Sequence, residues 1–552
     1  ISATEGSRNN PERYARNLIP PWGNPSSDLA YTAGLGDTQV DAAIPTGRIA
    51  AKNEEEVLNY LNKVAEFEAQ EPAAWMKKMI HFGGGSSGYE QGLFAGYLAN
   101  YTALASDTCF GADVHSFFKT TTDPIQLSLS DSIQYLIENG VSLMTFFGHA
   151  SSTGFDINID NPSSYNNQGK YPLLIGNSCY TGNIHLSTSN STSEVFTLAA
   201  NAGTIGFIAK GDLGIPASLD VWTEQFYRQN FQTHYGESIG QNMQAAVRAF
   251  QGNVQNLYTA NAALTFALHG DPAIVLNAWP KPDMAITASD VSFSPAQVTA
   301  DVDSFYVNVR IANLGKAVNT PFGVELVRRL PNGEDTSLVQ VVQGIGNAAF
   351  VQFALPVDRV EGIGTNTFDV LVDYPANTVD ELEDLSNNVV SNKLLQITGG
   401  NLIPVVPYTY AITPEGGITL QASTGDPLAP LTNWRMELDT SAAFASPQLL
   451  TTNIIQGGGV VQWELPIQLE NDQVYFWRCA ADNTPEEEYN WRTSSFQFQE
   501  GETGWGQSHF DQFAFNTYSG IDYNETEQRI DFTTGTVPLK CTVYGSPANA
   551  YE

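Results

Sequence analysis

The stretch Val141–Ala150, VSLMTFFGHA, followed by Tyr171–Gly182, YPLLIGNSCYTG, decides how the first half of this chain is read. Each begins as a short, nearly uninterrupted apolar run, Val141–Phe147 and Tyr171–Gly176. Each then breaks into small and polar residues, Gly148-His149 and Asn177-Ser178-Cys179. Runs of that length bounded by turn residues read as strands buried on both faces. Working outward, Ser130–Asn139 reads as a helix stopped by Gly140, a residue suited to the left-handed position past a helix end. Asn53 followed by Glu54, Glu55 and Glu56 is a helix start, with a capping side chain and acids in the first turn. Val57, Leu61 and Val64 follow at helical spacing and are the expected buried face. Lys78–Phe82 and Thr204–Ala209 read as further strands. Segments Ser193–Ala200, Ser218–Gln232 and Ile239–Gln251 read as helices. Strands alternating with helices predict a largely parallel sheet covered on both faces, with ligands taken up beyond the strand C-terminal ends. His149 and Cys179 fall at that edge.

After Trp279-Pro280-Lys281-Pro282 the pattern changes. Phe305–Ala312 (FYVNVRIA) alternates with period two, and Phe368–Val372, Gly417–Gln421, Val460–Leu465 and Gln473–Ala480 behave alike. Short strands between Gly, Pro and Asn turns predict all-β sandwiches at 283–397 and 401–498. Residues 499–552 form a β-rich segment that opens a further module or packs on an earlier one.

Bulk properties exclude several classes. The 552 residues carry 25 Lys and Arg against 59 Asp and Glu, a net charge of −34, which repels phosphate backbones and argues against nucleic-acid binding. No apolar run approaches a membrane span. Cys109, Cys179, Cys479 and Cys541 show neither a disulfide framework nor zinc spacing. The chain starts at Ile1, without Met or a signal peptide, and is expected to be part of something longer.

A cysteine is most often an inert small hydrophobe, and Cys109 and Cys479 fit that reading. Cys179 differs, because its polar, turn-prone context exposes the thiol at the functional edge. A nucleophilic thiolate needs a base or a neighbouring cation. Of the seven histidines, His234 and His509 read as surface residues and His269 as part of a turn. His81 and His115 lack an evident partner, and His185 is a weak rival base. His149, in FFGHASSTG, has the best position to act on Cys179.

Those two blocks and their 30-residue separation resemble the His and Cys blocks of the gingipain family, caspase-like bacterial cysteine peptidases. Ala43–Ala50 (AIPTGRIA), Ser193–Ala209 (SEVFTLAANAGTIGFIA) and Phe266–Leu276 (FALHGDPAIVL) resemble further blocks in the same order. The resemblance covers residues 1–280 and implies an α/β caspase-like catalytic domain with Cys179 as nucleophile and His149 as acid–base partner. It also implies a glutamate that orients the histidine. Glu90 resembles that residue in position, the alternative being a solvated loop glutamate. The backbone amides of Cys179 and Ala150 would form the oxyanion hole, Ala150 standing where the family usually has glycine.

No cofactor is needed for this chemistry, but the resemblance allows a structural calcium. Its ligands are unknown. Asp156, Asn158 and Asp160 alternate in GFDINIDNP, and a solvated strand face is the preferred reading over a cation site. The Gly83–Gly88 stretch, GGGSSG, lacks the Lys-Ser/Thr ending of a phosphate loop and reads as a mobile wall of the active site.

Residues 283–397 resemble the adhesion-related Ig-like modules of bacterial surface proteins, and 401–498 a fibronectin type III sandwich. A sandwich tail behind a gingipain-like domain resembles the sortase of the type IX secretion system. That likeness implies a secreted protein of the bacterial outer surface. Its partners would be the C-terminal signal domains of secreted cargo, other secretion-system components and a surface lipopolysaccharide acceptor. The alternatives are a degradative gingipain-like protease and a catalytically silent scaffold that binds cargo.

Overall fold

The structure is a computed structural model. It describes residues 19–533 except 20, 23–26, 37–40, 107–108, 124, 126–129, 158, 160, 185–189, 251–260, 262, 301, 359–360, 376–377, 384–385, 399–401, 425–430, 483–488, 490, 507–516, 525–526 and 528. Cys541, His185, His509, Asn158, Asp160 and the expected strand at 539–544 lie outside the described residues.

The first half is built on a six-stranded sheet of Lys78–Gly83 (β1), Asp113–Phe118 (β2), Leu143–Phe147 (β3), Leu173–Asn177 (β6), Gly206–Lys210 (β7) and Phe266–Gly270 (β8). Its order is β2-β1-β3-β6-β7-β8. A two-residue hairpin, Ala150–Ser151 (β4) and Gly154–Phe155 (β5), leaves the end of β3. All pairings in the large sheet are parallel except β7 with β8. His269, expected in a turn, is a buried residue of β8.

Side chains alternate between two apolar layers. Leu143, Leu173, Ile175 and Ile208 pack on one face with Phe94, Leu98 and Tyr101 of Gly88–Ala105 (α2) and Trp222 and Phe226 of Pro216–Arg228 (α5). Met144, Phe146, Leu174 and Phe207 pack on the other with Ile133 and Ile137 of Ser130–Asn139 (α3) and Phe196 of Thr192–Leu198 (α4). Both faces are thus covered, as a parallel sheet requires.

The first helix, Glu54–Glu68 (α1), begins as expected, with the Asn53 side chain accepting from the Glu56 amide. Its buried face matches the expected one only in part: Val64 packs against the core, but Val57 and Leu61 are exposed, and Tyr60, Lys63 and Phe67 are buried. Lys63 overrides simple hydrophobic patterning because its ammonium donates to three carbonyls, Thr197 at 3.0 Å, Ala199 at 3.3 Å and Ala202 at 2.8 Å. Those acceptors offset the cost of burying the charge.

The second half is β-structured. Val291–Ser294, Ser304–Asn313 and Ala348–Pro356 form one sheet. Val298–Thr299, Val389–Thr398, Gly364–Tyr374, Phe322–Arg329 and Asp335–Val342 form another, and the two share a core that includes Phe305, Val307, Val324, Phe353 and Phe368. A further pair of sheets, of three and six strands, encloses Trp434, Met436, Trp463, Trp477 and Phe496. Beyond them a hairpin joins Ile521–Asn524 to Arg529–Phe532. The halves touch where the Ala317 amide donates to the Cys109 carbonyl at 2.8 Å and Lys316 stacks over the Tyr235 ring.

Candidate active site

Strand register brings the sequence-predicted residues to one edge. The last paired rung between β3 and β6 is Phe147 with Asn177, so His149 and Cys179 each stand two residues past it on adjacent parallel strands. Adjacent strands run about 4.8 Å apart. The Gly148 amide extends the rung by donating to the Asn177 carbonyl at 3.2 Å. On the other side of β3, Gly83 pairs with Phe147, so the glycine loop leaves the sheet at the same level. Three consecutive strands therefore deliver Glu90, His149 and Cys179 to a common rim.

Glu90 lies in the first turn of α2, whose N-terminal cap is Ser87, and is not a loop residue. Its Oε2 accepts the Ser86 amide at 2.8 Å and the Ser86 hydroxyl at 2.6 Å, and meets His149 Nε2 at 3.1 Å. The Ser86 hydroxyl, and then His149, hold the Glu90 carboxyl down to about 2, so it is ionised at any working pH. With Nε2 engaged, the second ring nitrogen of His149 is the one left for a reacting proton. The His149 side chain is 52% exposed and that of Glu90 29%.

Cys179 is half-buried in a tight turn. Tyr180 adopts a positive φ of 58°, unusual for a residue with a side chain, and reverses the chain directly after the sulfur. The segment after β7 wraps this turn. The Gly182 amide donates to the Lys210 carbonyl, the Tyr180 amide to the Asp212 carbonyl, and the Gly214 amide to Cys179 Sγ at 3.2 Å. Lys210, wholly buried at the end of β7, donates to Asn261 at 2.6 Å. Burial pushes its ammonium down to about 8, opposed by Asp212 and by the sulfur of Cys179.

The two backbone amides expected to donate to an oxyanion, those of Cys179 and Ala150, lie at this edge. The amide of Cys179 has no acceptor among the described residues. In the β4–β5 hairpin the Asp156 amide donates to the His149 carbonyl at 3.0 Å, and Ala150 pairs with Phe155 one rung further. Antiparallel rungs alternate between bonded and non-bonded, which turns the Ala150 amide away from the hairpin. Ala150 is a strand residue outside the left-handed region, so alanine meets no backbone penalty there.

One expectation at this edge fails, that Asp156 lies on a solvated face. Gly84 and Gly85 of the expected mobile wall are buried against Asp156, whose Oδ2 accepts the Gly85 amide at 2.9 Å. Asp156 is itself only 6% exposed and pairs with Lys119, so it is neither a solvated strand residue nor a free cation ligand. No group of three or more His, Cys, Asp or Glu side chains converges on a metal position among the described residues. Sequence reading passed over Ser86, Lys119, Lys210 and Gly214. Of these, only Lys210 gave a signal, as a cation ending an apolar strand at the same rim.

Residues 3–277 match the family model described as Peptidase family C25. The N-terminal domain belongs to peptidase family C25. The protein is accordingly a cysteine peptidase with a gingipain-like, caspase-type fold, consistent with its mostly parallel sheet. Among solved structures, the Arg-specific cysteine proteinase gingipain R is 14% identical, with 69% of this chain and 81% of that one covered and a TM-score of 0.39. The complex of Porphyromonas gingivalis RgpB pro- and mature domains is 14% identical over 69% and 83%, with a TM-score of 0.37. The CARDB domain of the PF1109 protein from Pyrococcus furiosus is 20% identical over 22% of this chain and 91% of that one, with a TM-score of 0.16. No curated protein matches. No helix among the described residues is long and apolar enough to cross a membrane.

Proposed function

We propose that this C25 peptidase is a secreted bacterial endopeptidase or transpeptidase in which Cys179 and His149 form the catalytic dyad. His149 takes the proton from Cys179 Sγ, and the sulfur attacks the scissile carbonyl. The amides of Cys179 and Ala150 hold the tetrahedral oxyanion, each such donor being worth about 3 kcal/mol in the transition state. As the intermediate collapses, His149 returns the proton to the departing amine and a thioester remains on Cys179. Water, or a second amine, then attacks with His149 as base and frees the thiol. Glu90 orients the imidazole and stabilises its charged form. The observation that carries this reading is the shared rung beneath His149 and Cys179, together with the Glu90–His149 contact at 3.1 Å.

The two β-sandwich units, taken as Ig-like modules at 283–397 and 401–498, support a sortase of the type IX secretion kind. Such an enzyme acts at the outer surface, removes C-terminal signal domains from cargo and joins the cargo to lipopolysaccharide. Mass spectrometry of candidate cargo incubated with wild type, Cys179→Ala and His149→Ala tests both levels. Unchanged processing by either variant refutes the dyad. Products that carry an added amine mark a transpeptidase, whereas plain hydrolysis marks a degradative protease and overturns the sortase assignment.

A further inference from the structure

Behind the dyad lies a buried ion pair that the chemistry above does not use. Lys119 Nζ meets Asp156 Oδ2 at 3.3 Å, with side chains only 1% and 6% exposed. Isolated charges are rarely buried this deeply, and a buried pair is weak evidence for stability alone. Its connections are more informative. The Lys119 amide donates to the Gly83 carbonyl at 2.8 Å, at the root of the glycine loop. Asp156 Oδ2 also accepts the Gly85 amide, one residue before Ser86. The Asp156 amide holds the His149 carbonyl. Ser86 grips Glu90, and Glu90 meets His149. These contacts close a ring: His149, Asp156, Gly85, Ser86, Glu90 and back to His149, with Lys119 fixing the aspartate from behind.

Packing around the aspartate is tight. A Cβ at Gly84 would stand 2.1 Å from Asp156 Oδ1, and one at Gly148 2.9 Å from the same atom. That oxygen is buried and accepts no hydrogen bond among the described residues. Glycine at both places lets the two loops pack closely against the carboxylate.

We infer that Asp156, anchored by Lys119, is a positioning residue that clamps the glycine loop to the histidine loop and so sets the Glu90–His149 contact. The inference rests on the dyad reading. Misplacing a catalytic group by about 1 Å costs on the order of 100-fold in rate. Deleting the clamp is therefore expected to lower kcat by roughly 10- to 100-fold and to leave KM within a fewfold.

The test compares two double variants, so that no buried charge is left alone. Lys119→Met with Asp156→Asn keeps an oxygen that can accept the Gly85 amide, while Lys119→Met with Asp156→Ala does not. The asparagine version is expected to stay within a fewfold of wild type in kcat, and the alanine version to show the full loss. Adding Glu90→Gln to the alanine version is expected to cost little more, because both changes act on one contact. Equal activity in the two double variants, or a fully multiplicative effect of Glu90→Gln, overturns the inference. If the alanine version does not fold, Gly84→Ala pushes the same loops apart with the charges intact and must reproduce the loss of kcat. Cys179→Ala and His149→Ala run alongside. Activity surviving in those variants sinks the dyad reading, whereas their inactivity beside fully active clamp variants sinks the clamp alone.

Discussion

Glu90→Gln replaces a carboxylate by an amide of nearly the same shape. The retained oxygen can still accept from the Ser86 amide and hydroxyl and from His149, so geometry is little disturbed and charge is the variable removed. A hydrogen bond to a charged partner contributes about 1.5–3 kcal/mol and a neutral one about 0.5–1.5, a difference near 1–1.5 kcal/mol. Each 1.4 kcal/mol is about tenfold in rate, so kcat/KM is expected to fall roughly 5- to 15-fold. Exposure keeps the effect at this level, because His149 is 52% and Glu90 29% open to screening solvent. Neutralising a buried aspartate behind a catalytic histidine, as in the serine-protease triad, costs on the order of 10⁴-fold instead. The assay is kcat/KM on a peptide substrate at neutral pH. A change below twofold would mean that the Glu90 charge does not stabilise the His149 imidazolium. A loss above about 1000-fold would mean that the pair is sealed from water when substrate is bound, and the screening reasoning would be wrong.

Other expectations follow from packing and titration. Trp222 is fully buried and stacks on Phe266 at 4.2 Å, so Trp222→Ala should cost about 3–5 kcal/mol and lower the Tm by roughly 10 °C in calorimetry. Gly214→Ala would bring a Cβ to 2.9 Å from both Leu219 and the Ser178 carbonyl, which loosens the Gly214 amide from Cys179 Sγ. Its iodoacetamide alkylation at fixed pH should slow severalfold. Burial pushes the Glu381 carboxyl up to about 7 from its ordinary 4.5, so the folded state binds more protons between those values. Its contribution is whole below pH 4.5 and is lost as pH rises through 7, which Glu381→Gln should abolish in urea midpoints at pH 5 and 8.

The edge that carries His149 and Cys179 was legible because apolar runs ending in Gly148-His149 and Asn177-Ser178-Cys179 report both burial and where it stops. What escaped reading depends on partners far along the chain. Lys63 sits on the buried face of α1 because carbonyls of residues 197, 199 and 202 await it, and nothing local to residue 63 announces them. Asp156 alternates like an exposed strand residue, yet Lys119 neutralises it from just past the end of β2. The glycine loop has a composition typical of mobile segments. Its glycines instead serve close packing against a carboxylate, which the same composition allows equally well.

Acid-quenched mass spectrometry of the enzyme mixed with a slowly turned-over peptide ester tests the central claim most directly. Wild type should show the acyl group on the peptide containing Cys179, and Cys179→Ala should show neither adduct nor turnover. Turnover by Cys179→Ala, or an acyl group on another residue, would contradict the assignment of that sulfur as the nucleophile.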